Sequence, residues 1–568
     1  MILLSESMMR PRQASRADQF LIELRSVAPR TDPQEEKAVR VESVSDVQSQ
    51  LESYLSDESG LGPGQAQIVF IPVTEKQLAD FLREMNSRKL PVTISGGRTG
   101  IVGGAVPKGG ALVSLDKMKS IVGIRWDERS SEWRVTVEPG IKLKEFQERI
   151  ERKDLRMTTN GASESDWKDL PKFLSDSHQY FYPPDPTEDS ASLGGTVATD
   201  ASGARTYHFG RTRNHIRALR IVLATGDVLQ IRRGENIVDS SRIFRIHSMD
   251  GGEKTVRIPS YELPHVKSAV GYFSQKKMDL IDLFIGSEGT LGVVTLIEVA
   301  LTTKQENTAM FLAFFPSSDE AIGFVIKIRS LKEIESYLTV NSLEYFDANC
   351  LSLLGRLKRD GVVGTGIHFS ETMSGAAVLC EFSYHDLPKA VEFIEKPLAE
   401  FGSSLDRAVS GVDEQSREEL RKLRHAIPEA INRIVAQRKS LIPGMHKIGT
   451  DTAVSDEKLR PMMNSYNTLL KASNLENYVF GHIAENHLHV NILPRKSEEL
   501  LEAERLAEKL AKVAVELGGT VSAEHGIGKM KRGLLKIMFR EAEINQMVAT
   551  KRALDPNLIL CPGNVFRV

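Results

Sequence analysis

The chain has 568 residues, which at roughly 150 residues per domain predicts three to four domains or two large ones. Hydrophobic residues make up 41% and charged residues 26%, so a disordered, collagen-like or membrane-spanning chain is excluded. The 74 basic and 76 acidic residues leave a net charge of −2, which argues against a dedicated nucleic-acid-binding protein. The three cysteines exclude a disulfide scaffold and the usual four-cysteine iron–sulfur cluster, and they fit a reducing compartment.

The N-terminus lacks the features of an export signal. The apolar run at residues 1–4 is too short for one, and polar residues follow at once. A stretch of about 18 uncharged apolar residues, as a membrane-spanning helix requires, is absent from the sequence. We therefore expect a cytoplasmic protein without a transmembrane segment. Association with a membrane through a partner protein stays open.

The predicted elements begin with a polar, charge-rich segment over residues 1–60, which we expect to be a partly helical N-terminal extension. The run 68–73 predicts a strand, and Thr74-Glu75-Lys76-Gln77 is a capping box that predicts a helix start. A second strand is expected at 92–94, directly before a glycine-rich loop.

Short strands and glycine turns continue to about residue 300. We expect strands at 133–137 and 219–224, and polar composition marks 160–178 and 235–275 as insertions.

Helices lengthen from about residue 305. Ser416 to Glu419 forms a capping-box pattern that predicts another helix start. The stretch 497–517 is amphipathic and is followed by Gly518-Gly519, as is typical of a helix end. The sequence thus predicts two α+β domains, at 61–303 and 304–568, after the extension.

The loop at 95–104, Ser-Gly-Gly-Arg-Thr-Gly-Ile-Val-Gly-Gly, follows the strand at 92–94. Consecutive glycines let backbone N–H groups converge on an anion, and a pyrophosphate would fit this chemistry. The spacing matches neither the Walker pattern nor a clean dinucleotide fingerprint. Taken alone, the loop is better interpreted as an ordinary glycine turn.

Three further segments pack small residues tightly, as is needed where backbone lies against a large rigid ligand. They are Pro183–Pro186 followed by Ser192–Gly203, Phe209–His215, and Gly286–Gly292. Together with the loop, they resemble the FAD-binding domain of the vanillyl-alcohol oxidase / p-cresol methylhydroxylase (PCMH) superfamily. The resemblance is closest to the D-2-hydroxyacid branch, which contains D-lactate dehydrogenases, the glycolate oxidase flavoprotein subunit and D-2-hydroxyglutarate dehydrogenase, and it covers about residues 60–568. It implies a two-part PCMH-type FAD-binding domain followed by an FAD-linked oxidase C-terminal (cap or substrate) domain.

By this resemblance, two groups of residues hold FAD. The pyrophosphate group is Gly96, Gly97, Arg98, Thr99, Gly100 and Gly103, and the group near the rest of the cofactor is Pro184, Asp185, Gly194, Gly195, Thr199, Ser202 and Glu288. Asparagine is frequent in the family where Thr196 and Asp200 stand here. We expect non-covalent FAD, because cysteine is absent before Cys350 and histidine is absent from the first glycine loop.

The second domain carries a dense group of histidines. The segment 481–491 holds three of them, His482, His487 and His489, and His525 lies in Ser522–Lys529. On a strand, His487, His489 and Asn491 would share one face, and a turn at Glu485-Asn486 would bring His482 beside them. Imidazoles with a carboxylate suit Zn²⁺, Mn²⁺ or Fe²⁺.

The family resemblance assigns roles within these segments. It implies that His482, His489 and Glu524 bind a divalent metal, with Zn or Mn as the expected ion, that His525 is catalytic, and that Asn491 contacts substrate. The chain departs from the family at 485–487, where Asp, Gly and Asn are usual, so His487 could compete as a ligand. Cys561 replaces an asparagine that lies near the flavin in the family.

Arg424 lies in a segment similar to the one whose arginine pairs with the substrate carboxylate in the family, and Lys447 is the second candidate for this role. A solvated helix charge is the alternative interpretation of Arg424.

The resemblance implies oxidation of a D-2-hydroxy acid to the 2-oxo acid by hydride transfer to flavin N5. Two alternatives stay open: a non-redox flavoenzyme of the alkyldihydroxyacetonephosphate synthase type, and a non-catalytic FAD-binding subunit. Because cluster cysteines and a nicotinamide fingerprint are both missing, we expect electrons to leave to a quinone, a flavoprotein or a separate iron–sulfur subunit. Besides such an electron-transfer partner, a homodimer of this chain is compatible with the sequence.

Overall fold

The structure, a computed structural model, describes residues 37–155, 164–305, 307–331, 338–363 and 375–567. The fold is α+β and builds up in two halves, here called the N-terminal half (to residue 303) and the C-terminal half (from residue 304). Most of the N-terminal extension 1–60, which was expected to be partly helical, lies outside the described residues. Its described part begins with a strand that pairs antiparallel with the first strand of the sheet that follows.

The N-terminal half contains two main sheets. The strands are, in chain order, β1 (Val39–Glu42), β2 (Ile68–Ile71), β3 (Val92–Ser95), β4 (Ala111–Ser114), β5 (Ile121–Asp127), β6 (Glu132–Val137), β7 (Tyr180–Phe181), β8 (Ile216–Val222), β9 (Val228–Arg232), β10 (Ile243–His247), β11 (Glu253–Arg257), β12 (Val293–Ala300) and β13 (Thr302–Thr303). One sheet has the order β1-β2-β4-β3, with β2, β4 and β3 parallel. The other is antiparallel, in the order β5-β6-β12-β8-β9.

Short helices connect these strands: α1 (Val44–Gln50), α2 (Glu75–Ser87), α3 (Leu143–Glu151), α4 (Leu170–Ser175), α5 (Leu193–Thr199), α6 (Thr206–Phe209), α7 (Thr212–His215) and α8 (Leu280–Phe284). The capping box predicted at Thr74 is confirmed, because its side chain accepts the N–H of Gln77 and the Gln77 side chain reaches back. The segment 235–275, predicted to be an insertion, contains the hairpin β10–β11.

The C-terminal half is built on one antiparallel sheet. Its strands are β14 (Thr308–Phe315), β15 (Leu338–Phe346), β16 (Ala376–Tyr384), β17 (Val409–Gly411), β18 (Ile448–Gly449), β19 (Thr452–Ala453), β20 (Asn477–His482) and β21 (His487–Ile492), in the order β17-β14-β16-β15-β20-β21-β18, with β19 beside β21. Its helices are α9 (Ser318–Leu331), α10 (Ala348–Arg359), α11 (Leu387–Glu400), α12 (Glu414–Lys439), α13 (Leu459–Ser473), α14 (Ser497–Glu516), α15 (Arg532–Met538) and α16 (Glu541–Leu554).

Helices cover both faces of this sheet. Along β14, Phe311 packs into the core beneath one helical layer and its neighbour Leu312 into the core beneath the other. A strand that is buried on both faces consists of consecutive apolar residues, which explains the apolar sequence of β14. The amphipathic helix predicted at 497–517 is confirmed as α14, with Gly518 in the left-handed region (φ 78°).

The helix start predicted at Ser416 is wrong. Helix α12 begins at Glu414, and Asp413 caps it by accepting the N–H of Ser416 at 2.9 Å. An aspartate at the cap accepts this bond as well as a serine does, so the pattern identified the helix but misplaced its start by one turn.

The end of the chain returns to the N-terminal half. Val521, Ile527, Met547 and Phe566 belong to the same hydrophobic core as the sheet around β12. The N–H of Cys561 donates to the carbonyl of Val92 at 2.7 Å and extends the edge at β3. The division at 303/304 stays a prediction, and both halves border the cavity described next.

Candidate active site between the two halves

A cavity of about 1270 Å³ lies between the halves. Its wall on one side is the glycine loop 96–100 with the start of α5. On the other side it is formed by α12, the segment 445–452 and the strand β21. The volume exceeds the roughly 300–1,000 Å³ that is usual for small-molecule sites, so the cavity is large enough for a cofactor-sized molecule.

The glycine loop and the start of α5 are joined by one hydroxyl. Ser192 Oγ accepts the N–H groups of Gly97 (3.0 Å) and Gly195 (3.2 Å). A Cβ at Gly96 would lie 2.5 Å from that oxygen, and one at Gly97 would lie 2.8 Å from the backbone nitrogen of Ser192. Only glycine fits here, and the result is a narrow, backbone-lined cradle of the kind a dinucleotide pyrophosphate requires.

Most of the residues assigned to FAD line this cavity: Gly96, Gly97, Arg98, Thr99, Gly100, Gly194, Gly195, Thr199, Ser202 and Glu288. Three others lie outside the lining. Gly103 accepts Lys529 Nζ at its carbonyl (3.1 Å), and Asp185, next to Pro184, accepts the backbone N–H of Arg205 (3.3 Å). These residues support the wall from behind. Asp200 forms a buried ion pair with Arg213 (3.0 Å), so the carboxylate that stands where the family often has asparagine is neutralised by a cation.

Replacing Gly97 with alanine is expected to lower FAD affinity about tenfold or more. The new Cβ forces the cradle open, and strain of about 1–3 kcal/mol corresponds to this loss. The ratio of flavin to protein absorbance after dialysis measures it. Gly355→Ala in α10 is the matched control, because nothing lies within 4 Å of its Cβ. Equal FAD retention by both variants would contradict the assignment.

The histidine segment forms the hairpin that its pattern predicted. β20 ends at His482, Asn486 turns the chain in the left-handed region (φ 53°), and β21 begins at His487. Phe480 and His489 lie opposite each other in the register, so His482, His487 and His489 converge at one end of the hairpin.

These three histidines surround Glu524. Donor atoms of His482, His487, His489 and Glu524 all lie within 4.8 Å of one another. His482 Nε2 is 3.3 Å and His487 Nδ1 is 3.9 Å from Glu524 Oε1, and His489 Nε2 is 3.8 Å from Oε2. Three imidazoles and a carboxylate are a suitable donor set for Zn²⁺ and similar ions.

In two of these rings, the nitrogen that points away from Glu524 pairs with another carboxylate. His482 Nδ1 pairs with Glu344, and His487 Nε2 pairs with Asp451 at 2.9 Å. Metal-binding histidines commonly donate their second N–H to a carboxylate, which fixes the tautomer. His487 Nδ1 is buried and has no hydrogen-bond partner among the described residues. The residues present therefore fit a divalent metal.

Lys267 is the cation of this cluster. Its side chain is 1% exposed, and its Nζ donates to Glu524 Oε1 (2.5 Å) and to Glu485 (2.9 Å). Ser202 Oγ also donates to Glu524 Oε1, at 3.2 Å. The ion pair with Lys267 accounts for the glutamate at position 485. Lys267 and Ser202 both donate to Oε1 of Glu524, which leaves Oε2 free to coordinate a metal ion.

The charges of the cluster are set by these contacts. Burial alone would lower the pKa of His482, but Glu344 and Glu524 outweigh it and raise the pKa to about 9. Burial opposes ionisation of Glu524, yet Lys267 and His482 hold its pKa well below the usual value. Burial lowers the pKa of His487 and, with its histidine neighbours, that of His489.

Asp451 is the central acceptor of the site. Its Oδ2 accepts His525 Nδ1 (3.0 Å), Lys531 Nζ (2.6 Å) and Ser522 Oγ (2.9 Å), while Oδ1 binds His487. Although burial opposes its charge, His525 and Lys531 keep the pKa of Asp451 well below normal. His525 is 32% exposed and lines the cavity, so Asp451 fixes a ring whose other nitrogen is available to a ligand.

Arg424, Lys447 and Asn491 line the same cavity. Arg424 Nε donates to Glu344 (3.1 Å) and Nη1 to Thr187 (3.1 Å), while Nη2 has no partner among the described residues. Lys447 Nζ donates to Asn432 (3.1 Å), and no carboxylate pairs with it in the described part of the chain. The Lys447 side chain lines the cavity, and partial desolvation by the surrounding protein lowers the pKa of its ammonium group.

Sequence reasoning missed four charged residues of the site, Glu344, Asp451, Lys267 and Lys531. Glu344 stands in the apolar strand β15, and a charge in such a strand was an available signal. Asp451 and Lys267 gave no local signal. Cys561, expected near the flavin, lies behind the cavity wall, where its Sγ accepts the N–H of Ile94 at 3.4 Å.

Two family models match the chain. The FAD binding domain matches residues 66–167 and 165–232, and the C-terminal domain of the FAD linked oxidases matches residues 304–565. The matches define an FAD-binding flavoprotein with an FAD-linked oxidase C-terminal domain. The chain belongs to the PCMH-type FAD-linked oxidases, in their D-2-hydroxyacid dehydrogenase branch, and is an FAD-linked oxidoreductase.

Curated relatives agree with this placement. Glycolate oxidase subunit GlcD of Bacillus subtilis is 27% identical over 88% of this chain and 88% of its own length. D-lactate dehydrogenase of Anaerostipes hadrus is 25% identical over 90% of this chain and 92% of its own, and D-2-hydroxyglutarate dehydrogenase of Stutzerimonas stutzeri is 26% identical over 89% and 91%.

A solved structure of alkyldihydroxyacetonephosphate synthase has the same fold. It matches with a TM-score of 0.58 and 15% identity over 98% of this chain and 86% of its own. At this identity the likeness concerns the fold alone. Among the described residues, no helix is long and apolar enough to cross a membrane.

Proposed function

We propose that the protein oxidises a D-2-hydroxy acid to the 2-oxo acid with non-covalent FAD and a divalent metal. One observation carries the proposal: a single cavity is lined both by the glycine cradle and by His489, Glu524 and His525. The relatives named for D-lactate, glycolate and D-2-hydroxyglutarate support the substrate class.

Cationic side chains in the cavity would bind the substrate carboxylate. Arg424 is held by Glu344 on one edge, so Nη2 is the nitrogen without a partner among the described residues. The Lys447 ammonium faces the cavity and has no carboxylate partner in that same part of the chain. Asn491, on the same strand as His489, can contact the hydroxyl or the carboxylate. We assign the carboxylate to Arg424, with Lys447 as a second contact.

His525 would remove the hydroxyl proton. Asp451 accepts from Nδ1, so Nε2 is the ring atom that can take a proton, and the partial exposure of the ring lets a substrate reach it. When bound, FAD supplies a hydride acceptor and a divalent ion on His482, His489 and Glu524 supplies a Lewis acid. The buried carboxylates Glu344 and Asp451 keep the cluster in place.

Anaerobic bleaching of the flavin by a panel of D- and L-2-hydroxy acids tests this function. We expect one or more D-isomers to reduce the flavin in a single turnover and the matching L-isomers to leave it oxidised. Bleaching by none of the acids would overturn the proposal in favour of a non-redox synthase or a non-catalytic FAD-binding subunit. Rapid turnover with NAD⁺ as sole acceptor would contradict the proposed exit of electrons to a quinone, flavoprotein or iron–sulfur partner.

Arg424→Lys is expected to lower kcat/KM at least tenfold while FAD stays bound. Lysine lacks the planar fork that holds Glu344 and the substrate at once, and a charge-assisted hydrogen bond is worth about 1.5–3 kcal/mol. Arg421→Lys, one turn earlier in α12 and paired with Glu414, is the control. An unchanged kcat/KM would move the carboxylate site to Lys447.

A further inference from the structure

His487 stands apart from the other histidines of the hairpin. Its side chain is fully buried, at 0% exposed, and does not line the cavity, so a substrate cannot reach it. Histidine is also a departure from the asparagine that the family favours at this position. A large polar ring in such a place needs partners for both of its nitrogens.

Only one of those partners is supplied by the described residues. Nε2 lies 2.9 Å from Asp451 Oδ1, and an ionised carboxylate only accepts, so the ring proton is on Nε2. Nδ1 then carries a lone pair, and it has no hydrogen-bond partner in the described chain. The lone pair faces Glu524 Oε1 at 3.9 Å, where two acceptors cannot bond to each other.

A cation between them resolves this arrangement. Tetrahedral Zn²⁺, with bonds of about 2.0–2.2 Å, holds its ligands about 3.3–3.6 Å apart. The donor atoms of the four residues lie within 4.8 Å of one another, and His489 Nε2 is 3.8 Å from Oε2 of Glu524, so the cluster would contract by about 1 Å to hold the ion. Lys267 and Ser202 both donate to Oε1 of Glu524 and stay compatible with coordination through Oε2.

We infer that His487 is a fourth metal ligand through Nδ1, with Asp451 as the carboxylate that fixes its tautomer. The inference rests on the metal centre of the proposed function and extends it from two histidines to three. A site of three imidazoles and one carboxylate favours Zn²⁺ over Mn²⁺, because nitrogen donors suit the softer ion.

The test uses the full-length, flavin-loaded protein with Zn²⁺ as the probe. X-ray absorption at the zinc edge counts the coordinated imidazoles, and we expect three in the wild-type protein and two in His487→Asn. Competition with a chromophoric chelator should show Zn²⁺ affinity reduced at least tenfold in the variant. The preference for Zn²⁺ over Mn²⁺ should fall with it.

His215→Asn is the matched control. His215 is another buried histidine, bonded to the carbonyl of Phe209 and distant in sequence from the hairpin, so its replacement should leave Zn²⁺ affinity unchanged. Two imidazoles in the wild-type spectrum, or equal Zn²⁺ affinity in His487→Asn, would overturn the inference. The wild-type spectrum decides the question even if the variant does not fold.

Failure of the metal centre as a whole has a different signature. If the wild-type protein takes up no stoichiometric Zn²⁺ or Mn²⁺, both the centre and the role of His487 are wrong. If Zn²⁺ binds and Glu524→Gln releases it while His487→Asn does not, the centre stands and only the fourth ligand is wrong.

Discussion

Replacing His525 with alanine is expected to stop substrate from reducing the flavin while FAD and metal stay bound. The ring lines the cavity beside His489 and Glu524, and Asp451 holds its Nδ1 at 3.0 Å. A positioned general base contributes about 10²–10⁴-fold to rate, so the rate of flavin reduction should fall by that factor. Anaerobic stopped-flow absorbance measures it, together with flavin and metal content.

His446→Ala is the control for this experiment. His446 lines the same cavity but bonds to the carbonyl of Gly444 and lies beside Glu504, away from the cluster. Its replacement should change the reduction rate little. A rate for His525→Ala within a few-fold of wild type would show that another group takes the proton.

Local patterns were sufficient for the parts of the site that lie close together in sequence. The alternation of His487, His489 and Asn491 and the turn before them predicted the hairpin, since a strand and a turn are both decided by a few adjacent residues. The glycine loop after β3 was predictable for the same reason.

Contacts between distant segments were not predictable in this way. Asp451 meets His525 across 74 residues, and Lys267 meets Glu485 across 218. No periodicity encodes such pairs, because they depend on how β18, β21 and the loop after β11 come together in the fold. The segment 235–275, predicted to be an insertion from its polar composition, illustrates this, since it delivers Lys267 to the cluster.

The largest combined effect is expected for Asp451→Asn. Asparagine offers one acceptor oxygen and places an NH₂ group where Asp451 now faces donors from His487, His525, Lys531 and Ser522. His525 loses the acceptor that fixes its tautomer, so flavin reduction should slow by about 10²–10⁴-fold. His487 loses its carboxylate at the same time, and metal affinity should fall about 10–100-fold.

The joint loss is what distinguishes Asp451 from its neighbours. His525→Ala should affect reduction alone, and His487→Asn should lower metal affinity first, whereas Asp451→Asn should affect both. Asp347→Asn, which alters the cap of α10, controls for the cost of the same substitution elsewhere, and flavin content reports folding of each variant. In the Asp451→Asn/His525→Ala double variant, measured at Zn²⁺ concentrations that saturate the metal site, reduction should be no slower than in His525→Ala, because with the metal in place the carboxylate acts on the proton transfer through that ring. If the two losses multiply instead, Asp451 acts on the substrate independently of His525, and its role as the common support of base and metal ligand is wrong.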